Sequence, residues 1–155
     1  MATPYEEVYE RFLPKLTDYS FVNLSTQDVM DNLETFLKSS VIKFRYCDKL
    51  HEKDDTLKQF NEDLTDEEKE ILSILMCVEY LTPKLLTDDL LKQTLNSKDY
   101  SLFSQANHIK EIRGLRDMYQ KEANSLMVLY TFGKNKGKMD GFLWLIKIVI
   151  YPKTI

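Results

Sequence analysis

Four side chains of the kind that hold zinc occur in this 155-residue chain: Cys47, His51, Cys77 and His108. Compact zinc sites take their ligands in closely spaced pairs, and these four residues fit no such spacing. Cys77 stands among Leu75, Met76 and Val78 and reads as a small core residue. A second concentration is acidic: Asp48, Glu52, Asp54, Asp55, Glu62, Asp63, Asp66, Glu67, Glu68 and Glu70. A calcium loop would need a glycine and ligands at fixed offsets, and the stretch has neither. No convergent partner marks a carboxylate pair for acid–base work, so a solvated, helix-capping acidic surface is expected. Lys134, Lys136 and Lys138 could touch phosphate or an acidic protein surface. Without interleaved aromatics they read as a soluble, flexible stretch. The chain contains no Walker loop, dinucleotide fingerprint, HExxH or paired CxxC. No catalytic, cofactor-binding or metal-ligating residue is nominated.

The totals describe an ordinary globular chain. Its length suits one domain that buries roughly 70% of the surface its unfolded form exposes. The net charge of −4 argues against a dedicated nucleic-acid grip, but it is unevenly spread. Residues 133–155 hold five lysines against Asp140 alone, a net +4, which leaves −8 on the other 132 residues. An acidic body with a basic tail can engage two different surfaces, or a neighbouring copy of itself. Two cysteines are too few for a disulfide scaffold, and the acidic start lacks a signal peptide's pattern, so a reducing, cytoplasmic place of synthesis is expected.

The elements that must position these groups are mostly helical. Thr3-Pro4-Tyr5-Glu6 combines a capping hydroxyl, a proline at the first helical position and an acid three residues after the cap. It predicts a helix from about Pro4 to Leu13, stopped by Pro14. Ser25-Thr26-Gln27-Asp28 opens a second helix to about Tyr46, with Val29, Leu33, Phe36, Leu37 and Phe44 on its buried face. Residues 48–64 read as polar loop, with one helical turn around Thr56–Phe60. Thr65-Asp66-Glu67-Glu68 is a further capping box. The helix after it, apolar on nearly every side from Ile71 to Val78, is expected to end or kink near Thr82, before Pro83. A fourth helix is expected over about Lys84–Leu95. Ser104 should cap the longest, from Gln105 to about Thr131 and about 40 Å long. Its inner stripe is Ile109, Ile112, Leu115, Tyr119, Ala123, Leu126 and Tyr130. Gly114 within it reads as a tolerated surface glycine.

The expected fold is thus all-α, a bundle of about five helices, with a glycine/lysine-rich arm over 133–141. The arm leads into Phe142, Leu143, Trp144, Leu145, Ile146, Lys147, Ile148, Val149, Ile150 and Tyr151. Ten residues are too few to span a bilayer as a helix, and branched and aromatic types favour a strand. A lone strand must pair elsewhere, so the apolar residues of this segment are expected to dock on a neighbouring subunit or partner. The division is a helical domain over 1–132, a flexible basic linker over 133–141 and a docking strand over 142–155.

Several phrases of the chain resemble those of small head–tail connector (neck or adaptor) proteins of tailed bacteriophages. They are Met1-Ala2-Thr3-Pro4-Tyr5-Glu6, the run from Asp54 to Glu68, Phe103-Ser104-Gln105-Ala106-Asn107-His108-Ile109-Lys110-Glu111, and Glu122-Ala123-Asn124-Ser125-Leu126. The resemblance covers roughly residues 1–132, and the strand-like tail departs from the family's pattern. It implies a non-enzymatic virion protein, made in the host cytoplasm, that assembles beneath the portal protein as a homo-oligomeric ring, usually dodecameric. Such a ring extends the DNA channel, through which packaged DNA passes without sequence-specific binding. It also offers a docking platform for the tail or a second neck protein. The alternative is a small helical DNA-binding protein, a packaging subunit or regulator. Its recognition helix would start at Gln105 and carry Lys110, Arg113 and Arg116 alongside Glu111 and Asp117.

Overall fold

The computed structural model describes the backbone of residues 1–16, 21–94 and 101–150, and the side chains of residues 1–16, 21–86 and 107–135. The elements run β1 (Thr3–Pro4), α1 (Tyr5–Phe12), a 3-10 turn (Leu13–Lys15), α2 (Thr26–Lys43) and a second 3-10 turn (Asp48–Leu50). They continue with β2 (Lys53–Asp54), β3 (Gln59–Phe60), α3 (Asp66–Thr94) and α4 (Ser101–Ile150). The fold is predominantly helical, with a three-stranded antiparallel sheet of order β1-β3-β2.

Helix α3 is the centre. Ile71, Leu72, Ile74, Leu75, Met76, Cys77 and Val78 are all buried, and so is Ser73, whose hydroxyl donates to the Glu70 carbonyl at 2.8 Å. Around it, α1 contributes Tyr5, Val8, Tyr9 and Phe12, and α2 contributes Leu33 and Leu37, with Val29 and Phe36 half-buried beside them. Phe12, Phe36 and Tyr80 meet with ring centroids 5.9–6.3 Å apart, so one aromatic knot fastens α1, α2 and α3. Helix α4 closes the bundle along its expected stripe. Ile109, Ala123 and Tyr130 are buried, and Ile112, Leu115, Tyr119 and Leu126 pack partly buried against the core.

Helix starts follow local chemistry at two of the expected places. The Ser25 hydroxyl accepts from the Asp28 N–H at 3.2 Å. In the Thr65–Glu68 box the two residues exchange bonds, Glu68 N–H to Thr65 Oγ1 at 3.2 Å and Thr65 N–H to Glu68 Oε2 at 2.7 Å. Thr3 behaves differently. The N-cap of α1 is Pro4, without a side-chain cap, and Thr3 is a strand residue. Its hydroxyl donates to the Glu62 carbonyl at 3.0 Å and accepts from the Leu64 N–H at 2.8 Å, tying the first residues to the segment before α3.

The expected loop over 48–64 holds a hairpin. Asp54 Oδ1 accepts from the N–H groups of Thr56 and Leu57 at 2.8 and 3.0 Å, an Asx turn that reverses the chain. Lys58, with φ of 53°, completes the reversal, and its carbonyl accepts from the Tyr5 N–H at 2.8 Å. Strand β3 then pairs with β1 (Thr3 opposite Phe60) and with β2 (Lys53 opposite Phe60).

Two further expectations are corrected. Pro83 lies inside α3, so the helices expected on either side of it are one. A proline ring removes one ladder bond, but the buried run from Ile71 to Leu81 anchors the helix, and a propagating helix survives a single local penalty. The arm over 133–141 and the segment from Phe142 to Ile150 continue α4 as helix and do not form a linker and strand; Tyr151 lies outside the described residues. A helix satisfies its own N–H and C=O groups, whereas a strand without a mate leaves them open. Elongating an established helix also avoids the nucleation cost.

A methyl group added at Gly114 would meet nothing within 4 Å. Gly114→Ala is therefore expected to raise stability by about 0.5–1 kcal/mol, read as a higher urea midpoint with unchanged slope; a loss of stability would mean that this face is closely covered.

Candidate functional site

The densest meeting of chemistry-bearing side chains is built on Glu68, in the first turn of α3. Although ionisable, the residue is only 2% exposed. Its Oε2 takes the Thr65 N–H and the Lys49 ammonium, the latter at 3.0 Å. Its Oε1 accepts from the Tyr130 hydroxyl at 2.8 Å and from the Cys47 thiol at 3.6 Å. The donors come from three segments: the capping box, the stretch holding Cys47 and Lys49 after α2, and α4 some 62 residues along the chain. The Phe44 ring, at the end of α2, packs edge-on against Tyr130 with centroids 5.1 Å apart and roofs the cluster.

Burial pushes the Glu68 carboxyl upward, but the Thr65 N–H, the Tyr130 hydroxyl and the Lys49 charge outweigh it and hold the group below the usual carboxylate range. Burial, followed by hydrogen bonds to Cys47 and Glu68, raises the Tyr130 phenol. The Cys47 thiol is likewise raised, chiefly by burial and also by the Glu68 charge, against an opposing bond from Tyr130. A protonated, fully buried thiol is a poor nucleophile. The arrangement stabilises an anion and joins segments; its groups face one another and not an open cleft.

The other ligand-type and acidic residues of the sequence fall as follows. Cys77 is buried in α3, where burial pushes its thiol up to about 12, while His51 and His108 are exposed. Among the described residues no group of three or more His, Cys, Asp or Glu could hold a metal ion. The acidic stretch is partly structural. Asp54 makes the Asx turn, and Asp55 Oδ1 accepts from the Tyr5 hydroxyl at 3.0 Å, the main cause of its lowered titration. Asp66 pairs with Arg11, and Glu70 with Lys15 at 2.7 Å, fastening α1 and the 3-10 turn after it to α3. Glu68 departs from the expected solvated surface because Lys49 and Tyr130 cover it.

Lys134 is not a free cation on a flexible arm. Its ammonium donates to the Tyr46 carbonyl at 3.3 Å and to Asp48 at 3.2 Å, 5.4 Å from the centroid of the Tyr130 ring, and so clamps α4 to the segment after α2. Lys136 and Lys138 lie in the helical backbone of α4, their side chains outside the described residues, as are those of Phe142, Leu143, Trp144, Leu145, Ile146, Ile148, Val149 and Ile150. Of the basic residues expected to read DNA, Arg116 is engaged within the fold, donating to Thr82 Oγ1 and to Asp117 at 3.2 Å each. Among the described residues no helix is long and apolar enough to cross a membrane.

Two of the hollows on the described surface have these walls. One, of about 440 Å³, runs between Tyr46 and the Met127, Val128, Thr131 and Phe132 flank of α4. The other, of about 390 Å³, lies between α1 and α2 against the hairpin turn, with Tyr5, Tyr9, Met30, Glu34 and Lys58 at its walls. Glu34 is held below the usual carboxylate range by hydrogen bonds from Lys38 and Lys58, so its charge is already answered. Comparison with protein-family models, with curated proteins and with solved structures finds no match to this chain.

The folded Glu68 carboxyl titrates below its unfolded counterpart, near 4.3. The stability it confers is therefore complete above that value and drains away as the pH falls through the lower, folded one. Tyr130→Phe is expected to cost about 1.5–3 kcal/mol at pH 7, measured by urea unfolding. The deficit should shrink as the pH falls through the lowered folded value and the carboxylate is protonated; a deficit independent of pH would contradict a charge-assisted bond.

Proposed function

We propose that this chain is a non-enzymatic structural subunit of a tailed-bacteriophage neck. Copies stand as a ring, twelve-fold as in the family the sequence resembles, beneath the portal protein. The ring prolongs the DNA channel and carries the tail or a second neck protein. One observation carries the reading: the buried Glu68, Tyr130 and Thr3 groups are engaged in joining segments of the fold, while Val128, Leu129 and Phe132 stand exposed together on α4. Neighbouring exposed apolar side chains mark a surface meant for another protein.

Two further points support it. Of the stretches that resemble connector proteins, the first holds the Thr3 joint and the second holds the hairpin and the Glu68 box. The excess negative charge of residues 1–132 suits a channel wall, since contacts from basic residues to phosphate are what make a protein hold DNA. The segment from Phe142 to Ile150 serves in this reading as a helical docking element toward the portal or a neighbouring subunit.

The reading is tested by the mass of the particle formed when the purified chain is mixed with a phage portal protein. A complex containing many 18.3 kDa subunits is expected, together with no salt-dependent binding to duplex DNA. A chain that ignores the portal and binds duplex tightly at low salt would instead be the small DNA-binding protein.

A further inference from the structure

Buried tyrosines in this fold have partners for their hydroxyls, with one exception among the described residues. Tyr5 donates to Asp55 at 3.0 Å, Tyr130 donates to Glu68 at 2.8 Å, and Tyr80 accepts from the Lys84 ammonium at 2.6 Å. Tyr9 is as deep, at 7% exposed, yet among the described residues no group hydrogen-bonds to its hydroxyl. A buried tyrosine ordinarily finds such a partner, and an open one calls for a reason. Burial, then the charges of Glu34 and Glu6, hold the Tyr9 proton in place. Both carboxylates are walls of the hollow between α1 and α2, so the hydroxyl points into that hollow. The space measures about 390 Å³, within the size range of small-ligand sites. Its apolar surface comes from Tyr5, Tyr9, Met30 and Leu57.

The charge at these walls is mostly negative. Glu6 and Tyr9 stand one turn apart on α1, and Asp31 and Glu34 one turn apart on α2, with Lys58 between them at the hairpin turn. Lys58 and Lys38 both bond to Glu34, which is thereby answered. Glu6 and Asp31 are not. Among the described residues no lysine or arginine pairs with either, and the Asp31 carboxylate takes only the Gln27 amide, at 2.9 Å. A divalent metal is not the complement, because among the described residues no three ligands of the right kind converge. We propose that this hollow binds an alkylguanidinium group, its N–H groups on the Tyr9 hydroxyl and the Glu6 and Asp31 carboxylates, its carbon stem against Met30 and Leu57. A guanidinium has five donors and no acceptor, so it can serve several acceptors at once, and its flat face stacks on aromatic rings. An ammonium is a compact, strongly hydrated charge that gains less from such walls. The group could arrive as an arginine side chain of another protein or as a free guanidine. The site goes beyond the neck reading and stands without it.

The test is a titration of the full chain with N-acetyl-arginine amide, followed by amide NMR shifts, beside its neutral isostere N-acetyl-citrulline amide. The arginine compound is expected to shift amides of α1 and α2 around Tyr9 and Asp31, and the citrulline compound to bind at least about tenfold more weakly. Tyr9→Phe keeps the ring and should weaken arginine binding about tenfold. It should leave the urea midpoint of the free chain undiminished, because the hydroxyl it removes holds nothing in the fold. Glu6→Gln, at an exposed position on α1, should weaken binding and flatten its dependence on salt. n-Butylguanidine, which lacks peptide groups, separates the two sources: tighter binding of the blocked arginine assigns a protein side chain, and tighter binding of n-butylguanidine assigns a free guanidine. Absence of binding, equal binding of the citrulline compound, an affinity unmoved by Tyr9→Phe, or a free chain that Tyr9→Phe destabilises would each overturn the proposal.

Discussion

A negative charge removed from water must be answered by donors, and in this fold Glu68 is answered from four directions. Transfer of a bare carboxylate into an apolar interior costs more than the net stability of a domain. Its burial therefore requires that the Thr65 N–H, the Lys49 ammonium and the Tyr130 hydroxyl all be in place, with the Cys47 thiol beside them. None of those segments can drift without stranding the charge. The capping box that starts α3 is thereby also the lock that sets where α4 lies and where the chain turns after α2. Partial satisfaction would be worse than an apolar core at the same place, which makes the arrangement specific to one packing.

The position of α4 follows, and with it the division of that helix into two faces. One face is committed: Tyr130 reaches Glu68, Tyr119 donates to the Lys15 carbonyl at 3.2 Å, and Lys134 clamps Tyr46 and Asp48. The other face carries Val128, Leu129 and Phe132 into solvent. A helix of 50 residues is about 75 Å long, longer than a body of this size needs for its own closure. Attachment at one face and apolar exposure on the other are the asymmetry on which the proposed assembly role rests.

Much of the helical body can be read from local sequence because its causes are local. The Ser25 cap, the α2 face through Leu33 and Leu37, the Thr65–Glu68 box and the inner stripe of α4 depend on residues within a few positions of one another. The failures have non-local causes. Thr3 carries every sign of a capping residue, yet its hydroxyl is taken by residues about 60 positions away. The hairpin strands are two residues long, too short for any periodicity, and hang on one Asx turn. Pro83 is a breaker by local rule and is carried through by the buried run from Ile71 to Leu81 that precedes it. The burial of Glu68 cannot be read from its neighbours, because Tyr130, 62 residues along the chain, helps to cover it. The apolar end of α4 misleads for another reason: its branched residues favour strand in isolation, and the helix already running up to Thr131 decides otherwise.

The central claim is that the Glu68 cluster couples three separated segments into one cooperative unit. Amide hydrogen exchange on the full chain, wild type against Glu68→Gln, measures that coupling directly. The account predicts that exchange rises together in residues 47–50, at the start of α3 and around Tyr130 in α4, while the Ile71–Leu81 core of α3 keeps its protection. Faster exchange confined to the first turn of α3, with the amides around Tyr130 unchanged, would contradict it.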